Sequence, residues 1–184
     1  MSITYRAATP ADVPALAELG AVSFIDAFGD LYSDEDLGLF LEQAYSADVI
    51  AAEVANPERI YRLAEEDGRL LGYCKLGLNG GFDHDFGDRK VMDLNQLYLR
   101  GNTTGKGLGS ALMDWAISEA KVRDFDVMAL SVYSENYGGQ RFYERHGFAK
   151  LADIYFMVGN QRDDEYLFAL ELDKASPIDQ ISPD

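Results

Sequence analysis

The sequence predicts an α/β fold: a mixed, mainly antiparallel, twisted sheet of about seven strands with helices on both faces. Strand-like apolar segments recur along the chain, and amphipathic segments with helical spacing lie between several of them. The dipeptide Asp67-Gly68 is a strong turn signal that joins residues 60–66 and 69–78 as a hairpin. With 184 residues, 47% of them hydrophobic, the chain suits one domain over residues 1–173.

The composition narrows the possible partners. The net charge of −16 disfavours nucleic acid, because binding it requires neutralising phosphates. The same charge attracts a small cationic molecule, although it also serves solubility. Cys74 is the only cysteine, which fits a reducing cytoplasm and a buried inert thiol. We expect a cytoplasmic protein without a membrane span, because apolar runs are short and residues 1–6 lack signal-peptide features.

The first elements are a strand over residues 3–7 and a helix that Thr9 and Pro10 initiate. A break falls near Gly29, a second helix follows Ser33, and a third covers residues 47–55. Around the break lie three aromatic residues that we consider candidates for substrate binding: Phe24, Phe28 and Tyr32. Aromatic packing between helices is the alternative interpretation of this cluster.

Residues 79–88 form a glycine-rich, charged loop that contains Asp83-His84-Asp85. We predict no metal site here, because adjacent ligands on one short loop seldom converge on an ion. A loop that faces a substrate through His84 is the preferred interpretation.

The next predicted strand covers residues 91–99. Alternation along it would place Asp93, Asn95, Leu97 and Leu99 on one face. A carboxylate within a central strand needs a reason, because burying it unpaired is costly. Asp93 is therefore either a functional base or amine anchor, or a residue at a solvated strand end.

A glycine-rich loop then leads into an amphipathic helix that begins near Gly107. Three alternating glycines, Gly105, Gly107 and Gly109, would allow an anion to approach the free N–H groups of the helix start. Lys106 and Arg100 would add positive potential. The spacing matches neither the dinucleotide fingerprint nor the P-loop.

The remaining elements are a strand over residues 126–133, a helix that opens at Asn136, and a hairpin of residues 154–158 and 165–172 around a loop of residues 159–164. Asn136 and Tyr143 lie two turns apart and so share one helix face. Residues 174–184 are predicted to be a disordered tail.

Two stretches resemble the signatures of the GNAT superfamily of N-acyltransferases. The first is similar to the acyl-CoA signature Gln/Arg-x-x-Gly-x-Gly/Ala and reads Thr104-Gly105-Lys106-Gly107-Leu108-Gly109-Ser110-Ala111-Leu112. The second resembles a strand, an Asn and a helix ending in Tyr-x-x-x-Gly-Phe, and comprises Leu130-Ser131-Val132, Asn136 and Phe142-Tyr143-Glu144-Arg145-His146-Gly147-Phe148. Thr104 departs from the signature, in which Gln or Arg is usual.

The resemblance implies a fold in which the fourth and fifth strands run parallel and splay apart. Acetyl-CoA, the implied cosubstrate, would lie in that gap. Its implied contacts come from the strand end, the glycine-rich loop and the last helix, namely Leu97, Tyr98, Leu99, Thr104, Gly105, Lys106, Gly107, Leu108, Gly109, Ser110, Asn136 and Tyr143.

The implied reaction is acetyl transfer to a primary amine. The resemblance assigns Tyr143 as the acid for the thiolate and the backbone N–H of Leu99 to the oxyanion. Family members often carry a catalytic Glu at the position of Asp93 or Asn95, so Asp93 is the candidate base. The resemblance also implies that the helix pair around the break near Gly29 overhangs the acceptor pocket. The stretch Ser23-Phe24-Ile25-Asp26-Ala27-Phe28-Gly29-Asp30-Leu31-Tyr32 resembles the polyamine acetyltransferase branch. A protein or peptide N-acetyltransferase and a non-catalytic acetyl-CoA sensor are the alternatives, and the chain could be a monomer or a homodimer.

Overall fold

The computed structural model describes residues 2–103 and 107–173; the predicted tail, residues 174–184, lies outside these ranges. The strands are β1 (Thr4–Ala7), β2 (Arg59–Glu66), β3 (Arg69–Gly77), β4 (Val91–Leu99), β5 (Val127–Tyr133), β6 (Ala149–Val158) and β7 (Gln161–Glu171). The helices are α1 (Val13–Phe28), α2 (Asp34–Tyr45), α3 (Ala47–Ala55), α4 (Leu108–Val122) and α5 (Tyr137–Arg145).

The strands form one seven-stranded sheet with the order β1-β2-β3-β4-β5-β7-β6. Within the described chain, β4 and β5 run parallel and the other neighbours pair antiparallel. The predicted α/β class and the mixed, mainly antiparallel sheet are therefore confirmed.

Each face of the sheet buries its own apolar cluster. The face covered by α4 and α5 buries Leu94, Leu112, Met128 and Phe148 among others. The opposite face, covered by α1, α2 and α3, buries Leu16, Phe24, Tyr45 and Tyr73 among others. Burial of this apolar surface, at roughly 25 cal/mol per Å², is the main force that holds the helices on the sheet.

Local signals placed most boundaries correctly. Thr9 and Asp12 form a capping box ahead of α1, and the Ser33 hydroxyl accepts from the backbone N–H of Asp36 at 3.1 Å as the N-cap of α2. Asp67 and Gly68 both have positive φ, as a tight hairpin turn between twisted strands requires. Cys74 is buried, as predicted, and burial raises the pKa of its thiol, which disfavours the reactive thiolate.

The last hairpin differs from the prediction. β6 begins at Ala149 and β7 at Gln161, so the predicted loop of residues 159–164 is reduced to a turn at Gly159 and Asn160. Cross-strand pairing, which puts Phe156 opposite Asp163, extends both strands through polar residues that a local pattern assigns to a loop. The change matters for the site, because it moves Asp163 from a solvent loop onto a strand face.

None of the helices described is both long enough and apolar enough to cross a membrane.

Candidate active site

The parallel strands β4 and β5 separate partway along their length. Their pairing covers Val91 to Asp93 against Val127 to Ala129 and then stops. Beyond that point β4 stays paired with β3 as far as Leu99, and β5 stays paired with β7 as far as Tyr133. Two strands held by different neighbours thus leave a wedge-shaped gap in the middle of the sheet.

A bulge in β4 lies where this gap begins. Leu76 pairs with Leu94 and Lys75 pairs with Gln96, so Asn95 is an extra residue without a partner on β3. The prediction that Asp93 shares a face with Leu97 and Leu99 is wrong for this reason. Leu94, Leu97 and Leu99 pack on the α4 face, and Asp93, one residue before Leu94, points to the other face.

The backbone of β4 presents polar groups to the gap. The N–H of Arg100 donates to the Leu71 carbonyl at 2.8 Å, which makes this pair hydrogen-bonded on the β3 side. Because hydrogen-bonded and non-hydrogen-bonded pairs alternate in an antiparallel ladder, Leu97 and Leu99 direct their N–H and C=O groups toward β5. An N–H of Leu99 that faces the gap is available to a ligand oxygen.

A cavity of about 360 Å³ occupies the gap. Its walls come from both faces of the sheet, so it connects the α4–α5 side with the α1–α2 side. The lining residues are Ser23, Phe24, Ala27, Phe28, Tyr32, Phe40, Tyr45, Leu94, Asn95, Gln96, Leu97, Tyr98, Leu99, Ser131, Val132, Tyr133, Asn136, Tyr143, Phe156, Val158, Asp163 and Glu165.

The N-terminus of α4 lies on one side of the gap. Gly107, its N-cap, has φ +77°, a conformation that favours glycine, and a Cβ there would meet no atom within 4 Å. The first helical bond runs from the N–H of Ala111 to the Gly107 carbonyl, so the N–H groups of Leu108, Gly109 and Ser110 have no acceptor within the helix. These groups and the helix dipole suit an anion.

The contribution of basic side chains differs from the prediction. Arg100 forms an ion pair with Glu18 at 2.9 Å and donates to the Leu70 carbonyl, so its charge is engaged within the protein. Thr104, Gly105 and Lys106 lie outside the described residues. Among the described residues, the backbone N–H groups at the start of α4 are therefore the groups suited to an anion.

Helix α5 brings Asn136 and Tyr143 to the same side. Asn136 is the N-cap, and its side chain accepts from the N–H of Gly139 at 2.9 Å. A Cβ at Gly139 would lie 2.7 Å from the Asn136 amide, so this glycine makes room for the cap. Tyr143 is partly buried, and burial raises the pKa of its phenol, which keeps the proton on the oxygen at neutral pH.

The other side of the gap is aromatic. Phe24 stacks on Tyr32 with ring centroids 5.8 Å apart, and Phe28 packs edge-on against Tyr133 at 6.1 Å. Phe24, Phe28 and Tyr32 line the cavity, but Phe24 also packs in the core of this face. The cluster thus both holds α1 and α2 together and forms the cavity wall.

Two carboxylates on β7, Asp163 and Glu165, complete this wall; sequence reasoning missed both. The oxygens of Asp163 accept from the Tyr32 hydroxyl and from Gln161 Nε2, the latter at 2.9 Å. One oxygen of Glu165, Oε2, is buried and has no hydrogen-bond partner among the described residues. The signal was available in the alternation of residues 161, 163, 165 and 167, which puts the acids on one face of a strand that includes Leu167.

Burial and the negative neighbour Asp163 raise the pKa of Glu165, while a side-chain hydrogen bond from Ser131 lowers it. Burial and the two acids likewise raise the pKa of Tyr32. Among the described lining residues none is Lys, Arg or His. This side of the cavity is therefore complementary to a positive charge.

Three residues that the sequence predicted as site residues, Asn95, Asp93 and His84, lie in three different surroundings. Asn95 lines the cavity. Asp93 does not; it is 2% exposed, and its Oδ2 accepts from the N–H of Gly81. His84 lies in a separate depression, where its ring packs on Phe86 at 4.8 Å.

The acetyltransferase (GNAT) family matches residues 23–148, and the chain belongs to this family. It is 27% identical over 156 residues to an uncharacterised N-acetyltransferase of Lactobacillus delbrueckii, covering 85% of this chain and 90% of that protein. It is 25% identical over 152 residues to the spermidine N(1)-acetyltransferase of Thermoplasma acidophilum, covering 80% of this chain and 89% of that protein.

Solved structures share the fold. The PaiA N-acetyltransferase of Thermoplasma acidophilum in complex with coenzyme A superposes with a TM-score of 0.76 at 22% identity, covering 93% of this chain and 99% of that one. The YncA acetyltransferase of Salmonella typhimurium with acetyl-CoA superposes with a TM-score of 0.72 at 23% identity, covering 100% of this chain and 99% of that one.

The protein is thus an acetyl-CoA-dependent N-acetyltransferase. The site fits this cosubstrate, because the α4 N-terminus can take a phosphate and the N–H groups of Leu97 and Leu99 face the gap beside it. Acetyl-CoA supplies an activated acetyl thioester for transfer to an amine.

Proposed function

We propose that the protein acetylates a primary amine of a small cationic molecule that carries more than one ammonium group, such as a polyamine. The observation that carries this proposal is the pair of carboxylates, Asp163 and Glu165, on the α1–α2 side of the gap. An acceptor pocket with two acids and no described basic residue selects cations over neutral or acidic amines. The similarity to a spermidine N(1)-acetyltransferase supports the same class of substrate.

The aromatic wall adds to this selectivity. A methylene chain between two ammonium groups can pack on the rings of Phe24 and Phe28, while the charged ends lie near carboxylates or ring faces. The pair Tyr32–Asp163 would hold the ammonium group that does not react. Because the phenol of Tyr32 already donates to Asp163, the carboxylate is fixed in position before the substrate arrives.

In the proposed mechanism the two walls have different roles. The backbone N–H of Leu99 stabilises the charge that develops on the acetyl oxygen. The Tyr143 hydroxyl gives a proton to the departing sulfur, and its raised pKa means that the proton is present at neutral pH. Asn136 holds the start of α5 and thereby the position of Tyr143 two turns later.

The test is release of free thiol from acetyl-CoA against a panel of amines: spermidine, spermine, aminoglycosides, free amino acids and lysine peptides. We expect spermidine or spermine to give the highest kcat/KM, and we expect added salt to lower it because the recognition is ionic. Release with lysine peptides alone would contradict the proposal and identify a protein acetyltransferase. Binding of acetyl-CoA without thiol release from any amine would contradict it as well.

A further inference from the structure

The reaction needs a proton acceptor near the amine. An alkylammonium with a pKa near ~10.4 leaves only about one molecule in a thousand neutral at pH 7, so an enzyme gains by removing the proton itself. Three described acids lie in or beside the gap: Asp93, Asp163 and Glu165. Their positions distinguish them.

Asp93 is buried at the closed end of the gap. It pairs with Ala129 where β4 and β5 are still hydrogen-bonded, and its Oδ2 accepts from Gly81. Its other oxygen is buried without a partner among the described residues, as is one oxygen of Glu165, so burial alone does not separate the two acids. Access to the cavity separates them, because Glu165 is part of the cavity wall and Asp93 is not.

Asp163 lines the cavity, but its two oxygens are already engaged. One accepts from the Tyr32 hydroxyl and the other from Gln161 Nε2. Both oxygens already accept a hydrogen bond, whereas Oε2 of Glu165 has no partner among the described residues. Asp163 therefore suits the binding of a permanent cation.

We infer that Glu165 is the general base of this enzyme, a role that rests on the proposed function. Glu165 lies opposite Tyr133 in the sheet and lines the same cavity as Tyr143 and Ser131. It thus shares the gap with the residue that we assign as the acid. A buried carboxylate oxygen without a partner carries a free-energy cost that a proton or an ammonium donor removes.

The groups that face Glu165 set its proton affinity. Asp163 on the same strand and burial both favour the protonated form, and Ser131 on β5 favours the ionised form. The phenols of Tyr32, Tyr98, Tyr133 and Tyr143 also line this cavity, and burial raises the pKa of each, so they stay protonated near neutral pH. Asp153, Arg162 and Asp164 line a neighbouring depression that Glu165 also lines.

The proton balance is as follows. Glu165 takes one proton from the ammonium group and later releases it to solvent. The nitrogen lone pair forms the C–N bond with the acetyl carbon as the C–S bond breaks. The second proton that the nitrogen loses replaces the one that Tyr143 gives to the sulfur, so the products are an amide, a thiol and one proton.

The test compares Glu165→Gln with Asp164→Asn in the full-length protein, with acetyl-CoA and spermidine as substrates. Both variants remove one negative charge, at adjacent positions of β7, but Asp164 is exposed and outside the cavity. At pH 7 we expect Glu165→Gln to lower kcat about 10²- to 10³-fold, as loss of a general base does. We expect Asp164→Asn to stay within about twofold, as a surface change does.

The pH profile separates a base from a structural residue. Residual kcat/KM of Glu165→Gln should rise about tenfold per pH unit toward the pKa of the amine, because solvent then deprotonates the substrate. The increase in Tm on adding acetyl-CoA should match that of wild type and show that the variant is folded. A residual activity that does not rise with pH, or an active Glu165→Gln, overturns the inference, as does high-pH rescue of Asp93→Asn in its place. Wild-type protein that releases no thiol overturns the proposed function and this inference with it.

Discussion

The two sides of the β4–β5 gap present opposite charges by different means. On the α4–α5 side, positive potential comes from the backbone, through the first N–H groups of α4 after Gly107 and the strand N–H of Leu99. On the α1–α2 side, negative potential comes from the side chains of Asp163 and Glu165. A chain with a net charge of −16 can therefore bind an anionic cosubstrate, because local backbone dipoles rather than net charge act at that wall.

The two sides should respond differently to substitution. Backbone N–H groups depend on conformation, so a side-chain difference such as Thr104 in place of Gln or Arg does not remove them. Side-chain carboxylates depend on residue identity, so under the proposed function substitutions of Asp163 and Glu165 would change the substrate preference.

We expect the largest effect from the substitution that removes the acid on the α4–α5 side. Tyr143→Phe keeps the ring and its packing and deletes the hydroxyl, so we expect kcat to fall about 10²- to 10³-fold with the KM for acetyl-CoA nearly unchanged. Tyr137→Phe on the same helix, where the side chain is 61% exposed, is the control. Steady-state thiol release measures both, and normal turnover in Tyr143→Phe would exclude the phenol from the mechanism.

The next prediction concerns only the α4–α5 side of the gap, where the anionic cosubstrate would bind. Gly107→Val places a β-branched residue at φ +77°, which costs on the order of 1–3 kcal/mol and displaces the start of α4. We expect the KM for acetyl-CoA to rise at least about tenfold, and the KM for spermidine to stay close to wild type. Gly38→Ala, at an exposed helix position with no neighbour within 4 Å, is the control substitution. An unchanged KM for acetyl-CoA would remove the α4 N-terminus from the binding site.

Asp163→Asn tests the α1–α2 side of the gap, where the cationic substrate would bind, in the same way. It deletes the charge and keeps an acceptor for the Tyr32 hydroxyl, so we expect the KM for spermidine to rise about tenfold and the KM for acetyl-CoA to stay unchanged. The rise should shrink at high salt, because screening already weakens the wild-type interaction. Equal changes in both KM values would mean that the two walls are not independent.

The sequence predicted the residues of one wall but only the aromatic part of the other, for a physical reason. The α4 and α5 side consists of local signals, namely glycines at a helix start and an Asn cap two turns before Tyr143. The acceptor wall depends on pairing between distant strands. Extension of β7 through Asp163 needs its partner on β6, and the bulge at Asn95 needs its partner on β3, so neither can be read from neighbouring residues.

The smallest expected effect is on stability. Folding raises the pKa of Glu165, so the folded state binds more protons than the unfolded state and stability falls as pH rises through this range. Glu165→Gln removes that cost, so at pH 8 we expect the variant to have the higher Tm. Below about pH 3 the carboxyl is protonated in both states and the difference should vanish. Calorimetric scans at the two pH values measure this, and a Glu165→Gln variant that is less stable at pH 8 would indicate a purely structural carboxylate.

The most direct test of the two-wall account is a crystal structure of the protein with coenzyme A and spermidine. We expect the pyrophosphate against the N–H groups at the start of α4, and a spermidine ammonium about 2.7–2.9 Å from a carboxylate oxygen of Asp163, with another nitrogen facing Glu165. Spermidine on the α4–α5 side of the gap, or outside the cavity with Asp163 and Glu165 uncontacted, would contradict the account.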